Sequence, residues 1–141
     1  MTNQIEIQRI ARLSDMNRQR LAQIEDQVVR LNNVKEEHTH VRSSLQNIHS
    51  DSQSSLLPLG AGIHLPIKFM NEQTTLVDIG SGILLEKNPK EAAKILEKRI
   101  SEIQLLIESL TTEYQKTESK IHELNNQLNK AVEEHNKDLS D

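Results

Sequence analysis

The chain has 141 residues, one Phe, one Tyr, no Trp and no cysteine. The absent cysteines exclude a disulfide framework and any thiolate metal site. A net charge of −4, from 17 basic and 21 acidic residues, leaves no basic face for a phosphate backbone, so nucleic-acid binding is disfavoured. Aromatic side chains usually supply much of the large buried area of a core. Here the apolar content is mostly Ile, Leu and Val set among Glu, Lys, Gln and Asn, a mix that with helical periodicity points to coiled coil. Met1-Thr2-Asn3-Gln4-Ile5-Glu6 forms no apolar signal core. No apolar run approaches membrane-spanning length. The expected location is cytoplasmic, away from membranes.

A first long helix is expected over residues 5–50. Its seam runs Ile7, Ile10, Ser14, Asn17, Leu21, Ile24, Val28 and Leu31, in alternating steps of three and four. The next apolar residue is Val34, three on instead of four, followed by His38, Val41, Leu45 and Ile48. That short step reads as a stammer, a local overwinding of the supercoil.

The middle segment, residues 56–87, follows a different period. Ile63, Leu65, Ile67 and Phe69 alternate with His64, Pro66, Lys68 and Met70, the pattern of a strand with one buried face. Asn71-Glu72-Gln73 has turn chemistry, and Thr74 to Ile79 reads as a return strand. Gly60-Ala61-Gly62 and Gly80-Ser81-Gly82 punctuate the two sides, with Leu56-Leu57-Pro58-Leu59 and Ile83-Leu84-Leu85 outside them. Four short strands in two linked hairpins follow. Pro66 has no N–H, so it needs an edge or must face away from the ladder.

A second long helix is expected over residues 89–138. Asn88-Pro89-Lys90-Glu91 supplies an N-cap, a first-turn proline and a reciprocal carboxylate. The seam then runs Ala93, Leu96, Ile100, Ile103, Ile107, Leu110, Tyr114, Thr117, Ile121, Leu124, Leu128, Ala131 and His135. The steps alternate strictly over roughly six heptads. Two helices of near-equal length, each on the order of 70 Å, can lie antiparallel with the connector at one end and the termini at the other. The expected fold is α+β and mainly α: an antiparallel two-helix coiled coil with two central hairpins, spanning 1–141 as one domain.

Isolated hairpins are marginal in water, and their edges invite pairing. Strands from several chains closing a shared barrel would satisfy them. The residues expected at that oligomerisation surface are Leu59, Ile63, Leu65, Ile67, Phe69, Leu76, Val77, Ile79, Ile83 and Leu85.

Two stretches, Leu57-Pro58-Leu59-Gly60-Ala61-Gly62-Ile63 and Val77-Asp78-Ile79-Gly80-Ser81-Gly82-Ile83-Leu84-Leu85-Glu86-Lys87, together with the helix start Asn88-Pro89-Lys90-Glu91-Ala92, resemble the archaeal-type alpha class of the prefoldin family. The order helix, hairpins, helix matches across the whole chain, and two hairpins instead of one resemble the alpha class. The resemblance implies two alpha subunits with four prefoldin beta subunits, joined through β-barrels. It also implies capture of non-native client proteins without ATP and their delivery to a group II chaperonin.

An unfolded client offers apolar patches without fixed shape, so a binder needs adaptable apolar surface at several linked points. Fraying helix ends supply it. The tip residues expected to hold clients are Ile5, Ile7, Ile10, Leu13, Met16, Val132 and Leu139. For Ile7 and Ile10 the plainer reading is permanent burial in the seam. Leu13, Met16 and Val132 lie off it. A second functional reading is a scaffold of the same shape that organises a regulatory assembly without holding clients. A nucleic-acid-associated coiled coil is a third, weakened by the charge balance.

No cofactor is expected. Gly60-Ala61-Gly62 continues as strand, with Leu65 where a phosphate-binding pattern needs further glycine. His38 and His40, two apart on a helix, cannot chelate together. A two-helix stalk offers no cavity to desolvate a catalytic pair, so an enzyme is not expected.

Overall fold

The computed structural model describes residues 2–47, 55–68 and 74–141. The order of elements is α1 (Thr2–Asn47), β1 (Ser55–Gly60), β2 (Ile63–Ile67), β3 (Thr75–Asp78), β4 (Leu84–Lys87) and α2 (Pro89–Ser140). Two compact units result: Met1–Asn33 with Gln104–Asp141, and Val34–Ile103.

In the first unit, α1 and α2 run antiparallel. Asn3 donates to Asp138 at 3.3 Å, Ser14 to the Asn125 side-chain carbonyl at 3.3 Å, and Tyr114 to Glu25 at 2.9 Å. Partner numbers fall on α2 as they rise on α1, the mark of an antiparallel pair. Ile24 is fully buried, and Ile10 and Leu124 nearly so. Removing a buried Ile side chain of this kind costs about 2–5 kcal/mol. Ser14 and Thr117 are the buried polar residues. Ser14 is satisfied by Asn125, and Thr117 donates back to the Glu113 carbonyl at 2.8 Å. The Arg20 guanidinium donates twice to one Glu113 oxygen, at 3.0 and 2.6 Å. Both side chains are nearly half exposed, so solvent screens the pair and its net contribution is small.

Every seam position expected on α2, from Ala93 to His135, is buried or half-buried. Its start also follows the sequence. The Asn88 side-chain oxygen accepts the Glu91 N–H at 2.8 Å, and Glu91 accepts the Asn88 N–H at 3.3 Å. Two otherwise orphaned donors of the first turn are thereby satisfied reciprocally.

The stammer expected at Val34 is absent. Val34 and Val41 are exposed, while Lys35, His38, Arg42 and Leu45 are half-buried. The seam therefore continues from Val28 and Leu31 in regular three-four steps. Lys35 and Arg42 fill seam places because the stems of long basic side chains cover apolar surface as aliphatic ones do; at Arg42 the burial reaches Nε. An apolar-only reading of the pattern passes over them.

In the second unit, β1 pairs antiparallel with β2, and β3 with β4, as two separate two-stranded sheets. The segment expected to return on β2 instead pairs forward with β4. The reason lies in the glycines. Ala61-Gly62 and Ser81-Gly82 take consecutive positive φ values of 51 and 75° and of 54 and 75°, the backbone of the tight hairpin turn whose twist matches the strands. Asn71-Glu72-Gln73, expected to turn the chain, and Phe69, expected on the interface, lie outside the described residues.

Candidate functional site

Sequence position, pairing and backbone conformation repeat with an offset of twenty residues. Leu57 pairs with Leu65, and Val77 with Leu85; Ser55 pairs with Ile67, and Thr75 with Lys87. Gly60 and Gly80 carry φ values of 108 and 110°. In the second hairpin the Ile79 N–H donates to the Ile83 carbonyl at 3.1 Å, and the Ile83 N–H to the Gly80 carbonyl at 3.0 Å. Two residues thus face one across the ladder, a bulge that precedes the turn. The first hairpin shifts register at the same place, between Pro58 and Gly60.

Alternation along a strand sends successive side chains to opposite faces. In the first hairpin Leu57, Leu59, Ile63, Leu65 and Ile67 share one face. In the second, Val77, Ile79, Ile83 and Leu85 share the corresponding face. These faces carry most of the surface expected for oligomerisation. Leu76 is the exception and lies on the opposite face with Leu84. Leu57, which the sequence reading passed over, belongs to the apolar face; its place two residues before Leu59 was the available signal.

This apolar face is bare in the single chain. Leu59 and Ile63 are each 60% exposed, Ile83 53% and Leu65 47%. Val77 and Ile67 are half-buried. Fully burying an exposed Leu or Ile side chain yields about 1.5–3 kcal/mol, and covering these half-covered ones yields roughly half of that. Several such residues contiguous on one face exceed the scattered apolar exposure usual on a protein surface.

The residues expected at the tips divide by burial. Ile5, Met16 and Leu139 are largely exposed, and Val132 is exposed. Ile7 and Leu13 are half-buried, and Ile10 is buried in the helix pair at 8% exposure.

Other chemistry is sparse. Among the described residues no group of three or more His, Asp or Glu side chains could hold a metal ion. An open groove of about 420 Å³ lies in the first unit, lined by Gln27, Arg30, Leu31, Leu106, Ser109 and Leu110. It offers no acid–base pair. The Tyr114 phenol is held above its usual range by its hydrogen bond to the Glu25 carboxylate, which favours the protonated form. Among the described residues, no helix is long and apolar enough to cross a membrane.

Comparison with known proteins identifies the family. The Prefoldin subunit family model matches residues 17–134. The prefoldin subunit alpha of Thermofilum pendens is 33% identical over 87 residues, covering 60% of this chain and 67% of that protein. That of Nitrosopumilus maritimus is 28% identical over 93 residues, covering 66% and 62%. The matched stretches thus span about two thirds of these relatives' lengths. The cryo-EM structure of filamentous PFD from Methanocaldococcus jannaschii aligns with 86% of this chain and 96% of that one, at a TM-score of 0.48 and 16% identity. With two long helices, two glycine-turned hairpins and a family match running through both, the chain belongs to the prefoldin family of chaperone subunits.

Proposed function

We propose that this chain is the alpha-class subunit of an ATP-independent holdase. Two copies assemble with four prefoldin beta subunits through shared β-barrels. The complex takes up non-native proteins in the cytoplasm and passes them to a group II chaperonin. The observation that carries this reading is the repeated apolar face of the two hairpins, which a single chain leaves in water. Strands of further subunits would cover it and satisfy its edges.

Client capture falls to Ile5, Met16, Val132 and Leu139, which are exposed in the helix pair. Ile7, Leu13 and Ile10 join them when the terminal turns fray. Each contact is weak, and linkage of several helix pairs in one assembly multiplies them.

Co-purification with a prefoldin beta subunit tests the reading. The complex should have the mass of two alpha and four beta chains and suppress aggregation of a denatured client. Removal of residues 1–13 and 129–141 should leave the assembly intact and abolish suppression. A complex that forms but never suppresses aggregation, trimmed or untrimmed, would instead mark a scaffold.

A further inference from the structure

The helix pair of the first unit has two flanks, and they differ in charge. Arg20, at the g position before the seam residue Leu21, meets Glu113 across the pair. Glu25, at the e position after Ile24, accepts from Tyr114, and the charge of Glu118 reaches the same phenol. The g and e positions lie on opposite sides of a coiled-coil seam. Heptad steps extend each side. Seven residues on from Arg20 and seven back from Glu113, Gln27 and Leu106 line one groove, as the repeat requires. Seven the other way, Leu13 falls opposite Lys120.

The Arg20 flank is basic beyond that pair. Ile5, Arg9, Arg12 and Met16 follow one another at steps of four, three and four, a continuous stripe on α1 with Leu13 beside it. Lys116 lies one turn from Lys120 on α2, and both line an open groove of about 460 Å³. Arg9, Arg12, Lys116 and Lys120 are exposed and, among the described residues, have no ion-pair partner. The acids on this stretch of the flank are Glu6, Glu123 and Glu113, and Arg20 holds the last. The opposite flank carries Asp15, Glu25 and Glu118 against Arg18. The net charge of −4 averages over this separation, and the absence of a basic face expected from it does not hold here.

The flanks sort the client-holding residues of the function proposed above. Ile5 and Met16 stand among unpaired arginines, whereas Val132 and Leu139 follow Glu118 at heptad steps on the other side. Resting on that holdase reading, we infer that the α1 flank selects non-native segments in which Asp or Glu stands next to apolar side chains. Apolar contact alone does not discriminate among clients. Each exposed ion pair adds a small factor, and linked pairs multiply. A phosphate backbone is the poorer occupant: Glu6 and Glu123 oppose it, and the flank has no aromatic ring to stack a base.

The test uses the full chain assembled with the beta subunit. Two unstructured peptides share their Leu and Ile residues and differ only in having Glu or Lys between them. Fluorescence anisotropy at low salt should show the Glu peptide bound at least tenfold more tightly, a margin that shrinks at high salt. Arg9→Glu with Arg12→Glu should remove that preference and leave the helical melt unchanged, since both side chains are exposed. Arg18→Glu, on the opposite flank, should change it less than twofold. Equal binding of the two peptides by the wild-type complex, or a preference that survives Arg9→Glu with Arg12→Glu, overturns the inference. If that complex still suppresses aggregation of a denatured client, the holdase reading stands. A complex that binds neither peptide and suppresses no aggregation overturns both. A single-stranded oligonucleotide that binds the wild-type complex more tightly than the Glu peptide overturns the choice of occupant.

Discussion

The helix pair of the first unit and the hairpins of the second treat apolar residues in opposite ways. On α1 and α2 the seam residues are covered within the chain, down to complete burial at Ile24. On the hairpins a comparable set of Leu, Ile and Val residues alternates just as regularly yet stays open to solvent. Periodicity therefore reports which face is apolar, while the chain itself covers that face in one region and leaves it open in the other. On the function proposed above, the open face of the hairpins is the surface for assembly.

The sharpest break of that contrast is a charge in each region. Ile24→Asp should unfold the first unit, because an unpaired carboxylate replaces the most buried side chain; the loss should exceed the roughly 2–5 kcal/mol of the cavity left by Ile24→Ala. Thermal melting followed by circular dichroism at the helix minimum reads it. Leu65→Lys with Leu85→Lys should leave that melt nearly unchanged and abolish assembly with the beta subunit, since both side chains are exposed in the free chain. A melt lowered as far as by Ile24→Asp would show that the hairpin face is covered within the chain.

Smaller changes sharpen the comparison inside the second unit. Pro58→Val with Pro66→Val restores outward donors to both edges of the first hairpin. It should raise self-association in sedimentation velocity at neutral pH. Ala61 and Ser81 hold positive φ without being glycine, a strain of about 1–2 kcal/mol each. Ala61→Gly relieves the strain but frees the unfolded chain, so the assembled complex should gain less than about 1 kcal/mol in denaturant midpoint analysis.

The smallest expected effect is at Tyr114. Its folded pKa lies above the unfolded value of 10.0 because the Glu25 carboxylate accepts from the phenol. The stability this contributes is present in full below pH 10 and is lost as pH rises through the folded value. Tyr114→Phe should lack that alkaline loss in melts recorded between pH 9 and 11.

Much of this was legible in the sequence because the governing effects are local. The α2 seam and the Asn88–Glu91 cap depend on spacing and side-chain type alone. The stammer at Val34 was misread because Lys35 and Arg42 occupy seam places with their stems, which a count of apolar residues ignores. The two linked hairpins were legible from the alternating apolar runs and the glycine punctuation, and the positive φ values at Gly62 and Gly82 place their turns inside the glycine motifs. The apolar interface residues followed from alternation. The bulge before each turn did not, because it becomes visible only with a hydrogen bond such as that from Ile79 to Ile83.

Amide hydrogen exchange on the chain alone and in complex with the beta subunit tests the central claim most directly. The account predicts that protection on assembly concentrates in residues 55–67 and 75–87, while the amides of α1 and α2 change little. A complex whose new protection lies along the helices, with the hairpin amides exchanging as they do in the free chain, would contradict it.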